Sequence, residues 1–423
     1  MTRSDARGCA VSGATPSALE AYERILADHL AWRGGAEARL VRLLAEAPSF
    51  VMAHVLQAGM LACSRDPRRV RSAVDVLQRA AALPANERER MHLGAIQAVV
   101  DDDYELGKRR FGDILAREPR DLQALQVSHS FDYVTGDVAA MNARVAGVLP
   151  AWSRGMPGYS AVRAIQAFAR VENGDYDGAR EAAEAALAID PRDARAHHAM
   201  AHVFEMTERA AEGLRWMGAR VANWGRDTVV ATHCWWHVAL FQLAVGKADR
   251  ALALYDQRVR SAGSQAVADL IDASALLWRL KLAGVPLGPR WSELAVAWAP
   301  HVDDRFCSFN DLHAMLAFVG GQDWDQAQQL EQALAAHQSE PTRHGATTRE
   351  IGLPACRALM AHGQGRDTLA ITLFASLPAI AHRFGGSHAQ RDVLHLTLLD
   401  AIARIRRPVQ VPRTPPAPLL SVA

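Results

Sequence analysis

The sequence predicts an all-α, helical-repeat fold, and three observations carry that prediction. The 423 residues are half hydrophobic, which is long for one compact core and suits an array that grows by stacking. Ala, Leu, Arg and Glu dominate from about residue 17 to 405, broken by short Gly, Pro and Asp punctuation, with no sustained alternating pattern of the kind a strand needs. A helix–turn–helix layout also recurs along the chain.

The clearest copy spans residues 164–193, AIQAFARVENGDYDGAREAAEAALAIDPRD. A first helix ends at the Gly174-Asp175-Tyr176 turn, and a second follows. Ala179 sits where the two helices must approach closely, Ala186 and Leu187 fill the next core positions, and Pro191 closes the unit. An earlier copy uses Asp103-Tyr104 as its turn, with Phe111, Leu115 and a closing Pro119-Arg120-Asp121. Gly136-Asp137 with Pro150 gives a weaker one. Later copies are blurred, at Gly246-Lys247-Ala248 and at Gly321-Gln322-Asp323-Trp324. This is the tetratricopeptide layout. Each helix pair has an apolar face that it cannot bury alone, so neighbours must stack.

Flanking segments differ. Residues 1–16 are small and polar, and disorder is expected there. The tail over 406–423 is Pro-rich and is expected to be extended or flexible. The amino terminus has no apolar core of a signal peptide. No run of about 18 apolar residues occurs, so no membrane span is expected. Lys and Arg number 47 against 46 Asp and Glu, which gives no basic footprint for nucleic acid. The five cysteines are an odd, widely spaced set with no CxxC, unlike a disulfide framework or a thiolate zinc site. Reduced thiols in a cytoplasm are expected.

Three helices break the pattern of apolar inside and charged outside. In ARAHHAMAHVFEM, Ala196, Ala199, Met200 and Val203 form one stripe, and His198, His202 and Glu205 fall opposite it. That second face is either solvated or turned into the concave side of the array. THCWWHVALFQLAVG is apolar nearly all round, so burial is expected. Yet His233 and His237 sit four apart on one side of it, beside Trp236. That spacing suits two ligands to one metal, hydrogen-bonded structural imidazoles, or acid–base work. The glutamate of a zinc-protease motif is missing. In DLIDASALLWRLKLAG, Asp269, Asp272 and Arg279 share a stripe, and buried charges need partners. The carboxylates are expected to face histidines of a neighbouring helix.

Two later segments are of the same kind. FNDLHAML offers Asp311 and His313, and GGSHAQRDVLHL offers His388, Gln390, Arg391 and Asp392 after a glycine pair. Gly385-Gly386 exposes backbone N–H groups that would suit an anion, although two glycines also simply make a turn.

EMTERAAEGLRW, ATHCWWHVALF, ALYD, DLIDASALLWRLKLAGV, RW, FNDLHAM and GGSHAQRD, in this order between about residues 86 and 402, resemble the tetratricopeptide repeat protein 38 family. The first 85 residues match less clearly, although PSFVMAHVLQAGML looks like a first helix of the same kind. The resemblance implies a closed or strongly curved array. It brings no catalytic assignment.

The residues support three functional expectations. The first is a binding module for a small polar ligand or peptide. Its pocket would draw on His198, His202, Glu205, Trp236, Asp269, Arg279, His388, Arg391 and Asp392, with Trp216, Trp224, Trp235, Trp278 and Trp291 as further walls. The second is an enzyme in which His233 or His237 acts as base, oriented by Asp272 or Asp311, with His313 nearby. Metal-assisted chemistry at His233 and His237 is its variant, and no other cofactor is expected. The third is a protein–protein scaffold, in which the histidines scatter. Oligomeric state is left open.

Overall fold

The computed structural model describes residues 2–261 and 263–406. Its long elements are all helices, stacked as antiparallel neighbours in the tetratricopeptide manner. The repeated turns show why. Gly136 and Gly174 adopt φ of +69° and +79°, the left-handed conformation that ends a helix at least cost to glycine. The aspartate that follows then caps the next helix. Asp137 accepts from the Ala140 amide at 3.1 Å, and Asp175 from the Gly178 amide at 3.0 Å. Asp103, Asp121, Asp193 and Asp323 do the same for their helices. Each cap contributes about 1 kcal/mol. Ala179, Ala182, Ala183 and Ala186 are fully buried on one face of the second helix of the clearest repeat, where bulkier side chains would hold the pair apart.

The helices that bear on the site are, in chain order, α1 (Val51–Ala62), α2 (Leu122–Val134), α3 (Tyr159–Glu172), α4 (Tyr176–Leu187), α5 (Ala194–Met206), α6 (Ala231–Ala244), α7 (Val267–Leu282), α8 (Ser308–Gly321) and α9 (His388–Arg406). Three main clusters of buried side chains run through the array, one in each part of the chain. The central cluster holds Phe168, Met200 and Phe241, and the carboxy-terminal one holds Trp236, Trp278 and Phe309. Helix α6 belongs to both, so residues on its remaining side lie where the two meet.

The array curls until its ends touch. Asn310 of α8 donates to the Arg65 carbonyl at 2.8 Å, and Arg343 donates to the Val134 carbonyl at 3.0 Å. Tyr133 donates to Gln390 at 3.0 Å across 257 residues. Gly385 and Gly386 both take φ of +84° at this seam, and a Cβ on Gly386 would stand 2.3 Å from the Phe309 ring. Their expected use as an anion cradle gives way to a steric one: they let the chain pass close to α2 and α8.

Residues 2–15 differ from the disorder expected of them. Thr2–Ser4 pairs antiparallel with Ala10–Ser12. Arg7 is buried between Asp5 and Glu23, Val11 is fully buried, and the Ser12 amide donates to Glu89 at 2.7 Å. The partners that order this segment lie in later helices, so its own composition does not reveal them. The last helix runs to Arg406, and the Pro-rich segment beyond it lies outside the described residues. Among the described residues no helix is long and apolar enough to cross a membrane.

Candidate metal centre

Helix α5 carries His198 and His202 one turn apart, and α6 carries His233 and His237 one turn apart. The two helices pack together, and the two pairs face each other. Ring centroids lie 4.4 Å apart for His202 and His237, 4.5 Å for His198 and His202, and 4.9 Å for both His198–His233 and His233–His237. Each imidazole offers one nitrogen to a set whose members all lie within 4.8 Å of one another. The Nε2 atoms of His198 and His202 are 2.9 Å apart. In a tetrahedral site with bonds of 2.0–2.1 Å, donor atoms stand about 3.3 Å apart, so small side-chain rotations suffice to close this set on one ion.

Carboxylates orient the α6 pair. His237 Nδ1 lies 2.6 Å from Glu205 Oε2, and His233 Nδ1 lies 2.8 Å from Asp272 Oδ1 of α7. Each leaves Nε2 free to face inward, the arrangement by which an outer carboxylate fixes the tautomer and raises the basicity of a metal-binding imidazole. His237 Nε2 is buried without a hydrogen-bond partner among the described residues, as are His198 Nδ1 and His202 Nδ1. Each such atom costs roughly 1–3 kcal/mol. An electron-pair acceptor bound at the centre would offset part of that cost.

The surroundings favour the neutral form of three of the imidazoles, those of His198, His202 and His237. Burial, then the neighbouring histidines, holds His198 and His202 well below the ordinary histidine range. Burial, His233 and Arg279 do the same for His237. Burial pushes Glu205 up to about 7, against the pull of Arg279 and His233. Neutral imidazole is the form that binds a metal. Walls are aromatic: Phe168 of α3 lies 5.3 Å from His198, Trp32 5.5 Å, and Trp236 stacks on His233 at 5.1 Å with an interplanar angle of 11°. His233 has a side chain 18% exposed while His237 is fully buried, so access to the centre is from the His233 side.

A second layer of charge surrounds this core. Arg279 lies over the Trp236 ring at 5.4 Å, donates to the Ala389 carbonyl at 2.6 Å and pairs with Asp392 of α9. Burial raises Asp392 despite that arginine. His388 and Arg391 of α9 reach the buried Glu172 of α3 at 3.2 and 3.8 Å.

The structure thus gathers His198, His202, Glu205, His233, Trp236, His237, Asp272, Arg279 and Asp392, with His388 and Arg391 at the edge. It does not bring in three others. Asp269 is part-buried near the start of α7, one turn before Asp272, with no ion pair among the described residues. Asp311 faces His344 at 3.3 Å in a separate buried network, and His313 Nδ1 donates to the Phe309 carbonyl at 2.7 Å. As orienter of a cluster histidine, Asp311 is therefore replaced by Asp272 and Glu205. Helix α8 presents these two residues to its own neighbours rather than to α5 and α6. Sequence reasoning missed Glu172, which sits at an ordinary helix end before a Gly-Asp turn and carries no signal of its own. It also missed Trp32 and Phe168. Trp224 and Trp278, offered as pocket walls, are fully buried core residues, and Trp278 Nε1 donates to Thr397 at 2.9 Å.

No protein-family model matches the chain. Solved structures similar to it include the Cut9–Hcn1 hetero-tetramer of the APC/C, at 13% identity over 90% of this chain and 69% of that one, with a TM-score of 0.41. Another is a human IFIT1 dimer with m7Gppp-AAAA, at 12% identity over 93% of this chain and 88% of that one, with a TM-score of 0.44.

Proposed function

We propose that this helical-repeat chain is a metal-binding protein whose four-histidine centre holds one divalent transition ion. The observation that carries this reading is the convergence of four imidazoles, from two helices, on one point. Imidazole donors suit Zn, Ni, Cu and Fe, and a purely oxygen-seeking ion such as Mg or Ca is disfavoured. Glu205 and Asp272 supply the negative charge that balances a dication in a buried place. The resemblance to the tetratricopeptide repeat protein 38 family fits the same segments, because ATHCWWHVALF carries both α6 histidines and DLIDAS carries Asp272.

Beyond the ion, the centre suits a small polar ligand entering from the His233 side, bounded by Trp236 and by the Arg279–Asp392 pair. A metal-assisted reaction on such a ligand is the enzyme form of this reading, with an orienting role for Glu205 and Asp272 in place of the base–Asp311 pairing. A pure scaffold would scatter its histidines, each satisfied locally, and the gathering of His198, His202, His233 and His237 weighs against it. Elemental analysis of the purified chain tests the reading. About one equivalent of a transition metal is expected, and it should be lost in the double variant His198→Ala/His237→Ala. A chain that takes up no such metal, or takes it up equally in the variant, would overturn it.

A further inference from the structure

Lysine is almost absent from this chain. Lys and Arg together number 47, and only Lys108, Lys247 and Lys281 are lysines. Lys108 is buried, and its amine is spent on Glu105, Thr135 and Asp137 at 2.9, 3.1 and 3.1 Å. Lys247 stands exposed in the turn after α6. Lys281 differs from both. It is half-buried in the last turn of α7, with its amine 4.6 Å over the ring of Trp278 one turn earlier. That ring is fully buried, so the amine rests on the edge of the core. Among the described residues the amine has no ion pair and no hydrogen bond. Asp400 of α9, its natural counter-ion, is already engaged: it lies 2.8 Å from His362 Nε2 and accepts from Arg404 Nε at 2.7 Å. Arg404 thereby brings a second positive charge to the same place.

A lysine desolvated on one side and set near another cation is the arrangement that turns an amine into a nucleophile at neutral pH. Burial, then Arg404, brings the Lys281 amine down to about 8, against the pull of Asp400. At pH 7 about a tenth of such an amine is neutral, against roughly one in 3,000 for an ordinary lysine. We propose that Lys281 is a modification site that takes an acyl group from an acyl thioester. The lone pair of the neutral amine attacks the thioester carbonyl carbon. A C–N bond forms, the C–S bond breaks, and the amine proton leaves with the thiolate. The amide product is neutral, so it ends the cation–π contact with Trp278 and the repulsion from Arg404. This reading does not depend on the metal centre.

The test is incubation of the full chain with millimolar acetyl-coenzyme A at pH 7, followed by peptide mass mapping of Lys281. A synthetic peptide over residues 277–285 serves as the reference. Lower intrinsic nucleophilicity takes back part of the gain in neutral amine, so Lys281 in the folded chain is expected to acetylate about tenfold faster than the peptide. Its rate should level off above about pH 8, while that of the peptide keeps rising. Arg404→Gln removes the neighbouring cation and frees Asp400 for Lys281, so it should slow acetylation several-fold. Should that variant fail to fold, Asp400→Asn keeps a hydrogen-bonding side chain and should act in the opposite sense, raising the rate at pH 7. A folded-chain rate no greater than that of the peptide, a pH profile that follows the peptide, or a rate indifferent to the substitution at 404 or 400 would each overturn the proposal.

Discussion

Glu205 Oε2 of α5 accepts a hydrogen bond from Nδ1 of His237 of α6 at 2.6 Å, across the interface between the two helices that supply the four imidazoles. This contact ties the tautomer of one proposed ligand to the helix that carries two others. Asp272 does the same for His233 from a third helix, so three helices must dock before the donor set exists.

Removing an orienting carboxylate should therefore weaken metal binding without removing a ligand. Glu205→Gln and Asp272→Asn are each expected to lower affinity roughly 10- to 100-fold. Competition against a chelating dye measures this. Unchanged affinity in both would show that the carboxylates only satisfy buried imidazoles.

Metal removal should lower thermal stability, because an ion that binds only the folded chain adds RT ln(1 + [L]/Kd). At a hundredfold excess over Kd that is about 2.7 kcal/mol. Treatment with a chelator should lower the melting temperature of the native chain and leave that of His202→Ala unaltered. Equal shifts in both would place the metal elsewhere.

Asp193 makes a pH prediction. It caps α5 by accepting from the Ala196 amide at 3.0 Å, and burial pushes it up to about 7 against that amide and Arg195. The unfolded value is about 3.9. Between the two the folded chain binds the proton more tightly, so stability falls as pH rises through that window and the penalty is complete above about 7. Asp193→Asn keeps the cap and stays neutral. Its melting temperature should gain on that of the native chain from pH 5 to 8, and parallel curves would contradict the assignment.

Gly386 tests the seam. A methyl group there would meet the Phe309 ring at 2.3 Å, on backbone already at φ of +84°. Gly386→Ala is expected to cost roughly 1–3 kcal/mol. Limited proteolysis near residues 385–387 should speed up accordingly, and unchanged stability and cleavage would mean that the seam is not tightly packed.

How much of this was legible in the sequence follows from the range of each signal. The Gly-Asp turns are local, and they predicted the turns at Gly136-Asp137 and Gly174-Asp175, though not that each aspartate caps the helix that follows. At the blurred copy near residue 321, Gln322 rather than glycine takes the left-handed position, at φ of +57°. The His pairs were legible as one-turn spacings, and so was the need of Asp272 for a histidine on another helix. Their union was not, because the sequence cannot show that α5 and α6 turn their polar sides toward each other. His198 and His202 were equally compatible with a solvated face. Asp311 and His313 share the same local pattern, and only the packing of α8 separates them from the centre. The hairpin over residues 2–12 and the closure through Tyr133 and Gln390 depend on contacts far along the chain, which no local pattern encodes.

The central claim meets its most direct test in a cobalt(II) titration of metal-free protein followed by visible absorption. Four imidazoles closing on one ion predict the intense bands of four-coordinate cobalt, rising to an end point at one equivalent and absent from His237→Ala. A weak six-coordinate spectrum, or the same spectrum in native and His237→Ala protein, would contradict a four-histidine centre.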